Sequence, residues 1–238
     1  KMIGVGNENW GPQYVERLKV FQKALKEKYP EIKIVASSGA QYEGDMFTYL
    51  NDQFKTIKPD VVDEHYYSSP TWFFQNASRY DNYARTGPKI FAGEYAAQSD
   101  RVVSVENRNN LRTAISEAAF MTGLERNADV VNMASYAPLF ARADGWQWTP
   151  DLIWFDNLHA YGTPDYYVQK LFSNNKGTHL VPALSNGKPL TGQDSLYASA
   201  VIDKKTSELI IKIVNSASVE RQICIKLEGA KKIKSTAL

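Results

Sequence analysis

Lys89-Ile90-Phe91-Ala92-Gly93-Glu94-Tyr95 is an apolar run that breaks on a glycine and a glutamate. Met2-Ile3-Gly4-Val5-Gly6-Asn7-Glu8-Asn9-Trp10 has the same form 86 positions earlier, counted from Glu8 to Glu94. Further short apolar runs lie at Ile32–Ala36, Val61–Asp63 and Val130–Ala134. Several are nearly uninterrupted, the pattern of strands covered on both faces. Their ends fall near residues 8, 37, 65, 94 and 135, a spacing of about 29 residues between the two glutamates.

Helical patterns fill the intervals. Pro12 suits a first turn, and Val15, Leu18, Phe21, Leu25 and Tyr29 recur at spacings of three and four before Pro30. Asn107–Arg126 places Leu111, Ala114, Ile115, Ala118 and Met121 together, while Asp45–Lys58, carried by Met46, Leu50, Phe54 and Ile57, and Thr71–Arg85 are the two weaker helical candidates. Strand, helix, strand in succession predicts a parallel sheet, either doubly wound or part of a (β/α)₈ barrel. No glycine-rich phosphate loop follows a strand, and polar residues at the strand ends favour the barrel, whose active sites gather on that rim.

Past about residue 160 the pattern changes. Leu196–Ile202 and Leu209–Val214 are β-type runs joined by the polar stretch Asp203–Glu208; Ile223, Ile225 and Leu227 alternate with Cys224, Lys226 and Glu228; Asn186-Gly187-Lys188-Pro189 and Asn215-Ser216 supply turn chemistry. The expected architecture is therefore α/β plus all-β: a partial (β/α)₈ barrel over 1–162, about strands four to eight, then an antiparallel β-sandwich over 163–238. Five strand–helix units are too few for a whole barrel, which predicts that the chain is the C-terminal part of a longer enzyme.

Composition limits the partners. The 238 residues are 43% hydrophobic, and 28 basic against 26 acidic side chains leave a net charge of +2, no electrostatic reason to expect nucleic acid or a membrane surface. Lys231, Lys232 and Lys234 form the one basic run and are expected to be solvated. Cys224 is the lone cysteine, expected to be a small core side chain. Aromatics make up 12%, a composition shared by sugar clefts and aromatic cores.

The chemistry-bearing residues sit at strand ends. Two opposed carboxyl groups, one donating a proton and one attacking carbon, are the minimal machinery for cleaving a glycosidic bond. Glu8 and Glu94 are the candidates, against the alternatives of a surface glutamate in a turn and a structural glutamate paired with a cation. Asn7 can hold a sugar hydroxyl. In Asp63-Glu64-His65-Tyr66-Tyr67, His65 or a tyrosine hydroxyl can orient a carboxylate, or the histidine simply packs. Adjacent strand residues point to opposite faces, so this run does not ligate one metal ion, and neither metal nor cofactor is expected. Trp146, Trp148 and Trp154 surround Asp151; they either line a sugar cleft, with Trp146 as the binding candidate, or pack the barrel end.

Val5-Gly6-Asn7-Glu8-Asn9-Trp10-Gly11, Asp63-Glu64-His65-Tyr66-Tyr67, Phe91-Ala92-Gly93-Glu94-Tyr95-Ala96, Trp148-Thr149-Pro150-Asp151-Leu152-Ile153 and Tyr166-Tyr167-Val168-Gln169-Lys170-Leu171-Phe172 occur in this order. Together they resemble the C-terminal part of glycoside hydrolase family 51 α-L-arabinofuranosidases, over residues 1 to about 185. The resemblance implies a retaining exo-hydrolase acting on arabinan- or arabinoxylan-type chains. It implies Glu8 as acid/base, Glu94 as nucleophile, Asn7 on a sugar hydroxyl, and Tyr67 with His65 supporting the nucleophile. Many members have a glutamine at the eighth strand end, where this chain has Ser135-Tyr136. An extracellular or periplasmic parent enzyme is expected. A partial barrel also predicts an inactive fragment that self-associates or pairs with a missing N-terminal half. Two competing readings are a xylanase- or glucanase-like barrel enzyme with the same glutamates, and a non-catalytic carbohydrate-binding fragment.

Overall fold

The computed structural model describes residues 1–230. Five parallel strands form one sheet in the order β1 (Met2–Val5), β2 (Lys33–Ser37), β3 (Val61–Ser68), β4 (Lys89–Ala97) and β5 (Val131–Tyr136). Helices α1 (Gly11–Lys28), α2 (Gly44–Ile57), α3 (Pro70–Gln75) and α4 (Leu111–Arg126) fill the crossovers. Strand order never reverses, so the sheet has no doubly wound switch point. The sequential parallel pairing, Val5↔Ala36, Ser37↔Asp63 and His65↔Glu94, brings the C-terminal ends to one rim.

The local sequence explains the elements. Pro12 opens α1, whose Tyr14, Val15 and Leu18 are buried, although Phe21 and Tyr29 of the expected stripe stand 55% and 42% exposed. Asn110 caps α4 by accepting from the backbone of Arg112 and Thr113, while Thr113 Oγ1 accepts from the Asn110 amide. The expected helix over 71–85 stops at Gln75. Beyond it the chain turns through residues 76–83, and Asp81 accepts from the Arg126 guanidinium at 2.9 Å and from Asn127 at 2.7 Å. Those bonds to the end of α4 reward turns over a continued helix.

A small sheet not foreseen in the sequence follows: β6 (Phe140–Arg142), β7 (Ile153–Phe155) and β8 (Ala160–Gly162), in that order. Helix α5 (Pro164–Asn174) then lies against α4. The antiparallel part comprises β9 (His179–Val181), the hairpin β10 (Leu184–Ser185) and β11 (Lys188–Pro189), then β12 (Leu196–Asp203) and β13 (Glu208–Asn215). Asn186 and Gly187, at φ 51° and 76°, make the two-residue hairpin turn. Sheet β13-β12-β9 packs on α4, where Tyr197 and Val214 meet Ala118 and Ala119 and Lys212 reaches Glu125 at 2.6 Å.

Two expectations fail in the tail. Residues 223–227 form no strand, and Ile223 and Ile225 are exposed. Among the described residues their alternation pairs with no strand, and period two alone does not pair one. Cys224 is accordingly exposed instead of a core side chain. The lysines 231, 232 and 234 lie outside the described residues.

Candidate active site

The loop from β1 into α1 carries Glu8. Gly6 takes φ +86°, and a side chain there would meet Asn9 Oδ1 at 2.3 Å, so only glycine admits the turn. Asn9 Oδ1 in turn accepts from the Asn7 amide at 2.9 Å. Glu8 itself sits at φ +51°, a left-handed conformation that non-glycine residues seldom adopt and that clusters at working sites. Tyr14 anchors the loop from beneath, donating to Val5 O and accepting from Ser37 N, each at 2.8 Å. Asn7 is exposed beside Glu8.

Glu94 reaches the same place through a bulge. Asp63 pairs with Phe91 and Glu64 with Ala92, but His65 pairs with Glu94, leaving Gly93 as an extra residue. In a regular strand Glu94 would share the face of Ile90 and Ala92, which is turned into the core. The extra residue rotates it onto the face of Asp63 and His65. A Cβ on Gly93 would lie 1.9 Å from Asp63 Oδ1, so only glycine fits the bulge with Asp63 in its present position.

The result is a compact polar cluster. His65 Nδ1 lies 3.0 Å from Glu8 Oε1 and 3.6 Å from Glu94 Oε2, and its Nε2 lies 3.2 Å from Asp63 Oδ2. Tyr67 OH donates to Glu94 Oε2 at 2.7 Å. The ring is 2% exposed, whereas Glu8 and Glu94 keep about a third of their side-chain surface, 35% and 31%. Burial works against a charged His65, but the hydrogen bonds to Asp63 and Glu8 and the charges of Asp63 and Glu94 outweigh it and push the ring up to about 9. Both ring nitrogens therefore donate at neutral pH. Tyr67 is pushed far above the ordinary phenol range by burial and by Glu94, so it stays a donor.

Glu8, His65 and Glu94 each place one donor atom within 4.8 Å of the others, a set that could also hold a metal ion. Asp63, unassigned in the sequence reading, proves to be the second carboxylate on His65; its place two residues away along one strand was the available signal. The aromatic against Tyr67 is Trp148, with ring centroids 5.6 Å apart, whereas Trp146 is set edge-on to Trp154 at 6.0 Å. Glu64 points the opposite way into the core, 3.6 Å from Arg79 and ringed by the hydroxyls of Tyr66, Tyr80 and Tyr83. Ser135 hydroxyl donates to Gly93 O and braces the bulge.

A parallel sheet alternating with helices thus brings two carboxylates together at the C-terminal ends of its strands. The chain belongs to the α-L-arabinofuranosidase family: residues 93–238 match the α-L-arabinofuranosidase C-terminal domain and residues 1–85 the α-L-arabinofuranosidase 1 domain. It is 47% identical over 188 residues to an extracellular exo-α-L-arabinofuranosidase of Streptomyces chartreusis, covering 79% of this chain and 22% of that protein. It is 35% identical over 233 residues to α-L-arabinofuranosidase 1 of Arabidopsis thaliana, covering 96% and 32%. An arabinose-bound family GH51 α-L-arabinofuranosidase superposes with a TM-score of 0.71 at 35% identity, over 86% of this chain and 32% of that one. The Thermotoga maritima enzyme shares the fold, with a TM-score of 0.66 at 20% identity over 89% of this chain and 51% of that one. The chain thus spans between 22% and 32% of the length of these two curated relatives.

Proposed function

We propose that this chain carries the catalytic pair of a retaining α-L-arabinofuranosidase, with Glu8 as acid/base and Glu94 as nucleophile. One observation supports this most directly: an oxygen of each glutamate lies within 4.8 Å of the other, both converging on His65 Nδ1. Carboxyl groups about 5–5.5 Å apart serve retaining hydrolysis, while inversion needs about 6.5–9.5 Å to admit a water. In the first step Glu94 attacks the anomeric carbon as Glu8 protonates the departing oxygen, leaving a glycosyl ester on Glu94. In the second, Glu8 as carboxylate takes a proton from the water that attacks the same carbon and frees Glu94. Tyr67 holds the Glu94 oxygen, and His65 fixes the Glu8 carboxyl through Nδ1 while Asp63 fixes the ring. Asn7, exposed beside Glu8, is assigned to a sugar hydroxyl. The substrate class is a terminal arabinofuranosyl residue on an arabinan- or arabinoxylan-type chain.

We further infer that β1–β5 are strands four to eight of a (β/α)₈ barrel over 1–162, and that 163–238 form a β-sandwich domain. Among the described residues β1 pairs only with β2 and β5 only with β4. Five strands with two open edges do not enclose a pentose, so the 238-residue polypeptide by itself is expected to turn over little or no substrate.

The test is a chimera in which this chain replaces the matching segment of the Streptomyces chartreusis relative. It should hydrolyse p-nitrophenyl α-L-arabinofuranoside with retained configuration, lose activity with Glu94→Ala, and fall about 10²–10⁴-fold with Glu8→Gln. An inverted product, or hydrolysis surviving both substitutions, would overturn the assignment. Preference for a pyranoside in a substrate panel would point to the xylanase- or glucanase-like reading.

A further inference from the structure

Behind the site, two carboxyl groups meet in the joint between α4 and α5. Glu117 on α4 and Asp165 in the first turn of α5 both have no solvent-exposed surface. Glu117 Oε1 accepts from the Ala97 amide at the end of β4, at 2.8 Å, and Asp165 Oδ2 lies 3.1 Å from Thr113 Oγ1. The other two oxygens, Glu117 Oε2 and Asp165 Oδ1, are buried without a well-formed hydrogen bond, as is the facing Gln169 Nε2. The groups facing the pair are Tyr95 from β4, Tyr136 from β5, Asn109 and Thr113 beside the start of α4, and Gln169 from α5, with Asp151 beyond Tyr136. No lysine, arginine or histidine among the described residues pairs with either carboxyl. Two dry carboxylates with no cation between them are not a stable arrangement.

We propose that Glu117 and Asp165 share one proton and act as a pH-labile latch that holds α4, α5 and the end of β4 together. The proton occupies the gap between Oε2 and Oδ1, which satisfies both otherwise orphaned oxygens with one hydrogen bond. Burial first, and then the charge of Asp165, push the Glu117 carboxyl well above its ordinary range, in keeping with that arrangement. The latch grips β4 through Ala97 N–H, and Gln169 beside it on α5 holds Tyr95 OH of the same strand at 2.9 Å. Glu94 is the residue before Tyr95. Glu117 is therefore a positioning residue for Glu94, a link that rests on the catalytic reading above; the latch itself does not.

A carboxyl whose folded-state pKa is raised adds stability below its ordinary pKa and loses it as pH rises through the raised value. Thermal midpoints of the full chain should be measured by circular dichroism from about pH 5 to about pH 9 for the wild type, Glu117→Gln and Asp165→Asn. Relative to Glu117→Gln, the wild-type midpoint should fall by about 3–5 °C per pH unit where only the folded state keeps the proton. Asp165→Asn should move the fall to lower pH without abolishing it, because burial alone still raises Glu117 once the Asp165 charge is gone. Parallel profiles would overturn the latch. Should the variants fail to fold, the infrared spectrum of the wild type decides: a protonated-carboxyl C=O band persisting at about pH 8 supports it, and its absence overturns it. If the latch holds but Glu117→Gln leaves the alkaline limb of the chimera's kcat unmoved, only the link to Glu94 fails.

Discussion

Gly93→Ala tests the site at its hinge. The new methyl carbon would stand 1.9 Å from Asp63 Oδ1 and 2.8 Å from its Cγ, where ordinary contact begins near 3.4 Å. Relief needs a displacement of about 1.5 Å, and two movements can supply it. Asp63 can swing aside, which breaks its 3.2 Å bond to His65 Nε2, or β4 can retreat and carry Glu94 with it. In the first case His65 keeps its burial but loses the strongest of the contacts that raise it from 6.5 to about 9. That whole shift corresponds to about 3 kcal/mol, so losing its Asp63 share should cost about 1–2 kcal/mol at pH 7. The sign is fixed by linkage: a raised histidine adds stability below about 6.5 and loses it as pH climbs through 9, so the deficit of Gly93→Ala should fade above that value. The chain has three histidines, which makes imidazole NMR titration of His65 tractable. The midpoint of His65 should drop by about one unit or more, with a matching fall in urea midpoint. A variant whose His65 still titrates near 9 with unchanged stability would show that neither Asp63 nor β4 had to move, and the account of the bulge would be wrong.

Tyr67→Phe removes the hydroxyl that donates to Glu94 Oε2 at 2.7 Å; the chimera should lose about 10–100-fold in kcat/KM, mostly in kcat. Arg79→Ala strips the one cation facing buried Glu64 among the described residues and should cost about 3–5 kcal/mol in chemical denaturation; a cost under about 1 kcal/mol would mean that the tyrosine hydroxyls suffice. Gly123→Ala places a methyl 2.1 Å from the backbone oxygen of Ala77 and should destabilise α4 by about 1–3 kcal/mol or more, visible as a lower urea midpoint with an unchanged slope.

The parallel sheet was legible because its strands are buried on both faces, so Ile34, Ala36, Val62 and Ile90 appear as unbroken apolar runs. Strand length was less so. β3 and β4 extend to Ser68 and Ala97, past the apolar stretches, because the rim residues Asp63, His65 and Tyr67 alternate with core-facing Glu64 and Tyr66. Polar pairing of this kind has no signature in hydropathy. The two glutamates could be picked out by position, but the rotation of Glu94 by Gly93 depends on which residues pair across strands, a tertiary fact. The same applies to Glu117, whose α4 neighbours give no hint that Asp165, 48 positions on from 117 to 165, closes over it. Alternation at Ile223–Leu227 misled because a period of two marks a possible strand without supplying the partner that would pair with it.

Helix α4 has almost no free face: from Thr113 to Leu124 every residue but Ile115 is buried, one side under the parallel sheet and the other beneath Tyr197 and Val214. Evolution can therefore swap neither sheet independently of the other, and a polypeptide trimmed after Gly162 would bare Ala118 and Ala119 as a sticky seam. The tail serves as cladding for the helix that braces the end of β4.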